Sequence, residues 1–367
     1  MKRFLTLALV ALLLLGLCAC ATESTPSSDA KPADSTAAGG ESAADTTPVT
    51  TRSTEAAVES QSAEVESSSS VDAADLRIYS LKGPTTMGLV GLLQANEDGT
   101  ASNRYDATVC NAADEVTAAL VNGSTDIALL PANAAATLYN KAGGFSVVAI
   151  NTLGVLYVVE NGESIQSVKD LAGKTVCLTG KGTTPEYALR YLLAANGIED
   201  QVTLEFKSEA QEVVSAMSED VAMIGLLPQP FVTAAMMQNE NLRIALDLNN
   251  EWRSVSPDSA IVTGVTVVRN EILEQYPEQI KNFLSEADIS VAKVNEDPDW
   301  ASELIVNLEI VAKAPIAAKA IPYCNLVCVT GSEMKTVLSA YLQTLYEQNP
   351  AAVGESMPDD GFYYTGE

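Results

Sequence analysis

The stretch "SLKGPTTMGL", Ser80–Leu89, is echoed further along the chain by "TGKGTTPEYAL", Thr179–Leu189. In both, a Lys-Gly pair, two threonines and a proline lie between a run typical of a β-strand and a run typical of an α-helix. Glycine allows tight turns and close ligand approach, and proline suits the first turn of a helix. The repeat therefore predicts two equivalent strand-to-helix corners, one in each of two similar halves.

Strand-like and helix-like runs alternate around both corners. The strand-like runs include "LRIYSL", "RYDATVC" and "TDIALLP" in the first half, and "QVTLEF", "VAMIGLLPQP" and "LRIALDL" in the second. This order predicts an α/β fold in which mainly parallel sheets are flanked by helices. The amphipathic runs "PEQIKNFLSEADISVAKV" and "SEMKTVLSAYLQTLYEQN" predict a helical end that packs on the first half, and Met236 and Met237 are expected in the core.

The composition excludes several classes of function. The chain has 48 acidic and 21 basic residues, a net charge of −27 and no histidine. Nucleic-acid binding needs a basic surface, which this composition does not supply. The absence of histidine also excludes histidine-based catalysis and the common zinc sites. It does not exclude catalysis by carboxylate, lysine or cysteine side chains.

The first residues predict export. "MKRFLTLALVALLLLGLCA", residues 1–19, has a basic start and an apolar run too short to span a membrane, which is typical of a signal peptide. "LCAC", Leu17–Cys20, resembles the bacterial lipobox, which implies cleavage before Cys20 and lipid attachment to it; ordinary cleavage of a secretion signal is the alternative. Residues 20–75, rich in Ser, Thr, Ala and acids, predict a disordered tether.

Four further cysteines follow the tether. Cys110 and Cys177 lie in strand-like apolar runs and are expected to be buried. Cys324 and Cys328, in "PYCNLVCVT", form either a disulfide or a pair on one helical face. Without histidine or a second Cys pair, no metal site is expected.

The two corners have the chemistry of a binding site. In open α/β sheets, ligands bind beyond the carboxyl ends of the strands, where helix N-termini attract anions and other acceptors. In the second corner, Thr184 is a candidate cap followed by Pro185, and Thr183 with Glu186 fits a capping box. Each corner is either only the well-capped start of a helix or, if the two corners face each other, one side of a binding site for one small molecule.

Three segments resemble a known family. They are "SVKDLAGKTVCLTGKGTTPEYALRYLLAANGI" (Ser167–Ile198), "NGSTDIALLPANAAATLY" (Asn122–Tyr139) and "GLLPQPFVTAA" (Gly225–Ala235). They resemble the extracellular substrate-binding proteins of ABC importers, most closely the branch of aliphatic-sulfonate, nitrate and thiamine-precursor binders. The resemblance implies a type II periplasmic-binding-protein clamshell.

The resemblance also implies domain limits. The first lobe comprises residues 76–158 plus 265–367 and the second lobe residues 159–264. Two crossings join the lobes, near Leu153–Glu160 and Ala260–Val268, and the lobes close on the ligand by hinge motion.

The implied protein is a lipid-anchored, monomeric substrate-binding component on the extracellular face of the membrane, or on the periplasmic side where an outer membrane exists. It works with an ABC permease and its ATPase, needs no cofactor and is not an enzyme; a ligand-sensing receptor, or an enzyme on this fold, is the alternative. Its ligand is a sulfonate, nitrate or bicarbonate-like anion, a carboxylate or a pyrimidine. The implied ligand-binding residues are Gly83, Pro84, Thr85, Thr86, Pro131, Ala132, Asn133, Gly182, Thr183, Thr184, Gln229 and Pro230.

Overall fold

The computed structural model describes residues 73–366. The predicted signal peptide, Cys20 and the tether up to residue 72 lie outside the described residues. The described part contains a six-stranded and a five-stranded sheet with helices between the strands, which confirms the predicted two-sheet α/β architecture.

The first sheet has the strand order β11-β4-β10-β3-β1-β2. Its members are β1 (Asp75–Leu81), β2 (Arg104–Cys110), β3 (Ile127–Pro131), β4 (Phe145–Leu153), β10 (Val262–Arg269) and β11 (Leu326–Val329). β1 pairs in parallel with β2 and β3. β10 pairs antiparallel with β3 and β4, and β11, which the sequence did not predict, pairs antiparallel with β4.

The second sheet has the order β7-β6-β8-β5-β9. Its members are β5 (Leu156–Asn161), β6 (Thr175–Leu178), β7 (Thr203–Phe206), β8 (Ile224–Pro228) and β9 (Leu242–Asp247). β6 is parallel to β7 and β8, whereas β5 is antiparallel to β8 and β9. Both sheets are thus mixed. β5 and β10 each arrive from the other sheet at the edge where β8 and β3, respectively, end, and therefore run antiparallel to them.

Thirteen helices connect the strands in the described part of the chain. They are α1 (Pro84–Met87), α2 (Val90–Glu97), α3 (Ala113–Asn122), α4 (Ala132–Ala142), α5 (Thr184–Ala195), α6 (Ala210–Glu219), α7 (Phe231–Gln238), α8 (Leu248–Val255), α9 (Asn270–Gln275), α10 (Pro277–Glu296), α11 (Pro298–Asn307), α12 (Ala314–Ala320) and α13 (Gly331–Gln348).

The helix expected after the first corner is broken into α1 and α2. Ser290 of α10 donates to the Gly88 carbonyl at 2.6 Å and accepts from the Leu92 N–H at 3.1 Å. A side chain inserted into a helical hydrogen-bond ladder interrupts the helix. The break is therefore set by a residue distant in sequence, which the local pattern did not reveal.

The two crossings between the sheets lie side by side. The chain leaves the first sheet at Leu153, enters the second at Leu156 and returns through α8 to Val262. A Cβ at Gly154 would lie 2.8 Å from Asn249 Cβ, so only glycine fits between the crossings. Asn249 Oδ1 also accepts from the Ile261 N–H at 3.1 Å, which ties α8 to the return path.

A common core runs through both halves. Trp252 of α8 is fully buried, with its ring centroid 4.2 Å from that of Tyr191 in α5 and 5.7 Å from that of Tyr341 in α13. The helical end therefore packs on β4 and α4 of the first half, as predicted, and also contacts the second half through α5.

The cysteines beyond residue 72 are all free. Cys110 and Cys177 are buried in β2 and β6, as predicted. Cys324 is buried directly after the 3-10 helix Ile321–Tyr323 and Cys328 lies in β11, so neither a disulfide nor a helical face pair forms. Burial raises the pKa of Cys324 to about 12 and that of Cys328 to about 11, so both thiols stay protonated. None of the helices described here has the length and apolar character needed to cross a membrane.

Candidate functional site

The first corner is tied to the strand before it. Gly83, the residue before α1, has φ 127, a conformation that side chains strongly disfavour. The Thr85 and Thr86 hydroxyls both donate to the Leu81 carbonyl at 2.7 Å, and both side chains are buried. These hydroxyls hold α1 against the end of β1. Pro84 opens the helix, as its fixed φ favours.

The second corner folds back in the same manner. Thr183 Oγ1 donates to the Gly180 carbonyl at 2.7 Å, and Gly180 and Gly182 both have left-handed φ values, 76 and 73. Glu186 Oε2 accepts from the Gly182 N–H at 2.7 Å. The predicted capping box is wrong, because the Thr183 side chain turns back to Gly180 and Glu186 reaches the residue before the cap.

The cap itself is also shifted by one residue from the prediction. Thr183, without a side-chain cap bond, precedes α5, and Thr184 is the first helical residue with Pro185 second. In both corners, then, a threonine hydroxyl donates to a backbone carbonyl at or just after the end of the preceding strand. The repeated Gly-Thr pattern builds a self-supporting turn that fixes the backbone.

The ends of β3 and β8 supply the remaining predicted residues. Pro131 ends β3 in extended conformation, and α4 follows with Ala132 buried and Asn133 half-buried. β8 ends at Pro228, and Gln229 and Pro230 lead into α7. β1 pairs in parallel with β3, and β6 pairs in parallel with β8. The corners and these ends therefore share one edge of each sheet.

Gln229 has an unpaired donor in the protein interior. Its side-chain Oε1 accepts from Thr233 Oγ1 at 2.8 Å and from the Thr233 N–H at 3.3 Å. Since a backbone N–H can only donate, the atom it meets must be the amide oxygen. Gln229 is 2% exposed, and Nε2 has no hydrogen-bond partner among residues 73–366. Leaving such a donor unpaired costs about 1–3 kcal/mol, which favours a site that a ligand completes.

A cavity of about 500 Å³ lies between the two halves, and Thr233, the hydrogen-bond partner of Gln229, is one of its lining residues. Its walls come from α7 and β9 of the second half and from α12 and the following 3-10 helix of the first half. The lining residues are Thr233, Met236, Met237, Glu240, Ile244, Lys319 and Tyr323.

The sequence did not predict these lining residues. Met236 and Met237 were expected in the core. Met236 does pack against the core of the second half and also lines the cavity, whereas Met237 lines the cavity and is 42% exposed. Successive residues on a helix point about 100° apart, so two adjacent methionines in α7 cannot both face the sheet. That spacing is the signal that would have placed one of them outside the core.

The charged groups near the second corner are already paired. Although burial favours the protonated acid, the hydrogen bond from Gly182 and the Arg190 guanidinium keep the pKa of Glu186 below its ordinary value. Lys181 Nζ lies 5.7 Å from the centroid of the Phe206 ring. Within residues 73–366, no group of His, Cys, Asp or Glu side chains is arranged to hold a metal ion.

The second corner also contacts the first half of the molecule. Tyr341 OH of α13 lies 3.5 Å from Thr184 Oγ1, and Asn349 Nδ2 donates to Tyr187 OH at 2.7 Å. On the opposite flank, α7 packs against α12. The second half thus contacts the first half through both α5 and α7.

A family comparison identifies the chain. Residues 104–306, more than half of the sequence, match the model of the ABC transporter, phosphonate, periplasmic substrate-binding protein family. The chain belongs to this family. It is therefore the periplasmic substrate-binding component of an ABC transporter, which confirms the resemblance seen in the sequence. No curated protein matches it.

Solved structures share the fold of this binding protein. An ABC transporter protein from Parabacteroides distasonis aligns with a TM-score of 0.67 and 24% identity, over 79% of this chain and 98% of that chain. The periplasmic aliphatic sulphonate binding protein SsuA from Escherichia coli aligns with a TM-score of 0.63 and 16% identity, over 79% and 92%. A putative periplasmic sulfonate-binding protein from Methylobacillus flagellatus KT gives 0.58 and 14%, over 80% and 92%.

Proposed function

We propose that the binding protein closes its two halves around one small solute at the carboxyl ends of β1, β3, β6 and β8, and delivers it to the permease. The observation that carries this proposal is that, within residues 73–366, the strands of the two sheets are connected only by two adjacent crossings. Two bodies joined at such a point move by hinge rotation. Closure then requires that the solute bind the closed form more tightly than the open form.

The proposed contacts divide into two kinds. The backbone of Gly83, Gly182 and the Pro131–Asn133 segment, with the Gln229 side chain, faces the solute. Thr85, Thr86 and Thr183 act indirectly, since their hydroxyls hold the corners in shape. The remaining predicted residues, Pro84, Thr184 and Pro230, set the starts of the helices whose N-termini surround the solute.

We propose an oxyanion-bearing solute. The matched family is named for phosphonate, and two similar structures are named for sulfonate. Helix N-termini favour negative groups, which agrees with those names. The other candidate solutes, implied by the sequence resemblance, are nitrate, bicarbonate, carboxylates and pyrimidines.

A thermal-shift screen of these compounds, followed by small-angle X-ray scattering, tests the proposal. The expected result is at least one compound that raises the melting temperature and reduces the radius of gyration. A protein that binds none of them, or that binds without compaction, contradicts hinge closure on such a solute.

We further propose that the protein transports and does not catalyse. The absence of histidine supports this view, and no cofactor is needed for capture and release. Uptake of the bound solute should be lost when either the binding protein or its permease is deleted. Signalling that persists without the permease would instead identify a ligand-sensing receptor, and conversion of the solute would identify an enzyme.

Membrane attachment through Cys20 and a monomeric state are also proposed. The lipobox-like "LCAC" supports the anchor. Cys20→Ser should release the protein from the membrane fraction, whereas Cys18→Ser, two residues away, should leave it attached. Sedimentation of the Cys20→Ser protein with membranes contradicts the anchor, and a dimer mass in analytical ultracentrifugation contradicts the monomer.

A further inference from the structure

The cavity lined by Met237, Ile244, Lys319 and Tyr323, which we call the rear groove, lies across the crossings from the two corners. In the first sheet, the crossing strands β4 and β10 separate the edge strand β11 from β1, which leads into the first corner. In the second sheet, β5 separates the edge strand β9 from β6, which leads into the second corner. Ile244 belongs to β9 and Tyr323 lies just before β11, so the crossings lie between the groove and the corners.

One wall of the rear groove is fixed beside a crossing. Tyr157, near the start of β5, donates its hydroxyl to the Tyr323 carbonyl at 2.6 Å, and the two ring centroids are 6.1 Å apart. Asn325 Nδ2 donates to the carbonyl of Gly154, between β4 and β5, at 2.5 Å. A rotation at the crossings therefore moves the other wall, which includes Met237, relative to this one.

We propose that the rear groove and the corners move in opposite directions: the groove widens when the corners close on a solute, and it narrows when they open. This inference rests on the proposed function. When two bodies rotate about a line that lies between two gaps, one gap closes as the other opens. The free energy needed to widen the groove is then lost from solute binding, so the groove residues set solute affinity without contacting the solute.

Two kinds of side chain favour a narrow groove. Met237 of the second half is 42% exposed and Tyr323 of the first half is 46% exposed, and widening the groove exposes more of their apolar surface to water. Glu240 of the second half and Lys319 of the first half have opposite charges, and their attraction weakens as the walls separate. Both effects favour the open form of the protein.

Two cross-links between native side chains measure the two gaps. A short amine-specific reagent joins the exposed lysines of the corners, Lys82 and Lys181, only when the corners approach each other; we call this product the corner link. A carbodiimide joins Glu240 directly to Lys319, with no spacer, only when the groove is narrow; we call this product the groove link. Mass spectrometry measures both yields on the full mature chain without any solute.

Truncation of the apolar walls should favour the closed form. Met237→Ala and Tyr323→Ala should each raise the yield of the corner link about threefold and lower the yield of the groove link. Tyr323→Ala keeps the main-chain carbonyl that accepts from Tyr157. As a control, Val221→Ala removes an apolar side chain that is 65% exposed outside the groove, and it should change neither yield.

Charge variants separate attraction across the groove from packing. Glu240→Lys should repel Lys319 and raise the yield of the corner link. Adding Lys319→Glu restores opposite charges with their positions exchanged and should return the yield to the wild-type value. High salt screens exposed charges, so it should reduce the difference between wild type and Glu240→Lys. A purely structural role of Glu240 would not be rescued by the exchange.

Only opposite responses of the two links support the inference. Links that rise together, links that do not respond to the groove variants, or a link that forms in no protein overturn it. A compound that compacts the wild type, while the groove variants leave both links unchanged, leaves the proposed function standing without this inference. Opposite responses of the links, with no compound that compacts the protein, support the opposed motion and contradict closure on a solute.

Discussion

The Glu186 carboxylate accepts a hydrogen bond from the Gly182 N–H at 2.7 Å, across the loop that starts α5. Arg190 Nε donates to the same carboxylate at 2.8 Å, and the Glu186 side chain is 12% exposed. The shape of the second corner therefore depends on an acid inside the helix as well as on the threonine before it.

Replacing Glu186 should loosen this corner. Glu186→Ala leaves the Gly182 N–H unpaired and removes an acid from a helix N-terminus, so the free energy of unfolding should fall by about 1–2 kcal/mol. Glu186→Gln keeps an acceptor and should cost less than about 1 kcal/mol. Urea denaturation measures both; Glu219→Ala, exposed at the end of α6, is the control. Equal stability of Glu186→Ala and wild type would show that the corner holds without the acid.

Truncating Trp252 should destabilise both halves together. Its buried ring packs on Tyr191 of the second half and Tyr341 of the first, so Trp252→Ala opens a cavity where the halves meet. We expect a loss of about 3–5 kcal/mol in the free energy of unfolding. Val255→Ala, on the same helix but 38% exposed, should change it by less than about 0.5 kcal/mol. A loss below 1 kcal/mol for Trp252→Ala would contradict a shared core.

Stability should decline in acid partly through Glu160. Burial favours its protonated form, but donors from Ser164 and Ile165 and the Arg243 guanidinium hold the pKa of Glu160 below its ordinary 4.5. A lowered pKa in the folded state stabilises the protein above the unfolded-state value, and this stabilisation is lost as the pH falls through the folded-state value.

Denaturation curves from pH 7 to pH 3 test this contribution. Glu160→Gln should be less stable than wild type at pH 7 by about 1–3 kcal/mol, and the difference should shrink below about pH 4.5. As a control, the free energy of unfolding of Glu303→Gln, a change at an exposed position, should have the same pH dependence as that of wild type. A constant difference for Glu160→Gln across this range would rule out ionisation of Glu160 as its cause.

Gly264 leaves room for the first corner. A Cβ at this position of β10 would lie 2.5 Å from Thr85 Cγ2 and 2.4 Å from Asn151 Oδ1. Gly264→Ala should therefore lower the free energy of unfolding by about 1–3 kcal/mol. Adding Thr85→Ser removes the methyl group but keeps the hydroxyl, and should recover part of the loss. Thermal and urea denaturation measure the effect, and an additive double variant would show that Thr85 is not the obstacle.

Much of the fold could be predicted from local sequence patterns. The strands that contain the corners and the helices after them follow from periodicity and turn residues. Gly123 ends α3 with a left-handed φ of 76, the conformation for which glycine is favoured at helix ends. β11 and the break between α1 and α2 were missed. Their pairing partners, β4 and Ser290, are distant in sequence, and a local pattern contains no information about them.

Only part of the candidate site could be predicted from the sequence. The pattern located the corners and Gln229 at the ends of strands, because glycine, threonine and proline indicate turns wherever they occur. It did not reveal that the threonine hydroxyls are used within the corners, nor that Met237 lines a cavity. Those facts depend on which carbonyl or helix lies opposite, in particular Leu81, Gly180 and α12.

The sequence by itself determined the α/β class, the repeated corner and the family, since backbone preferences and side-chain periodicity act over a few residues. The tertiary structure alone decided which polar atoms stay unpaired. Among residues 73–366, Gln229 Nε2 is buried without a partner, and no stretch of sequence shows which donors the packed chain leaves unused.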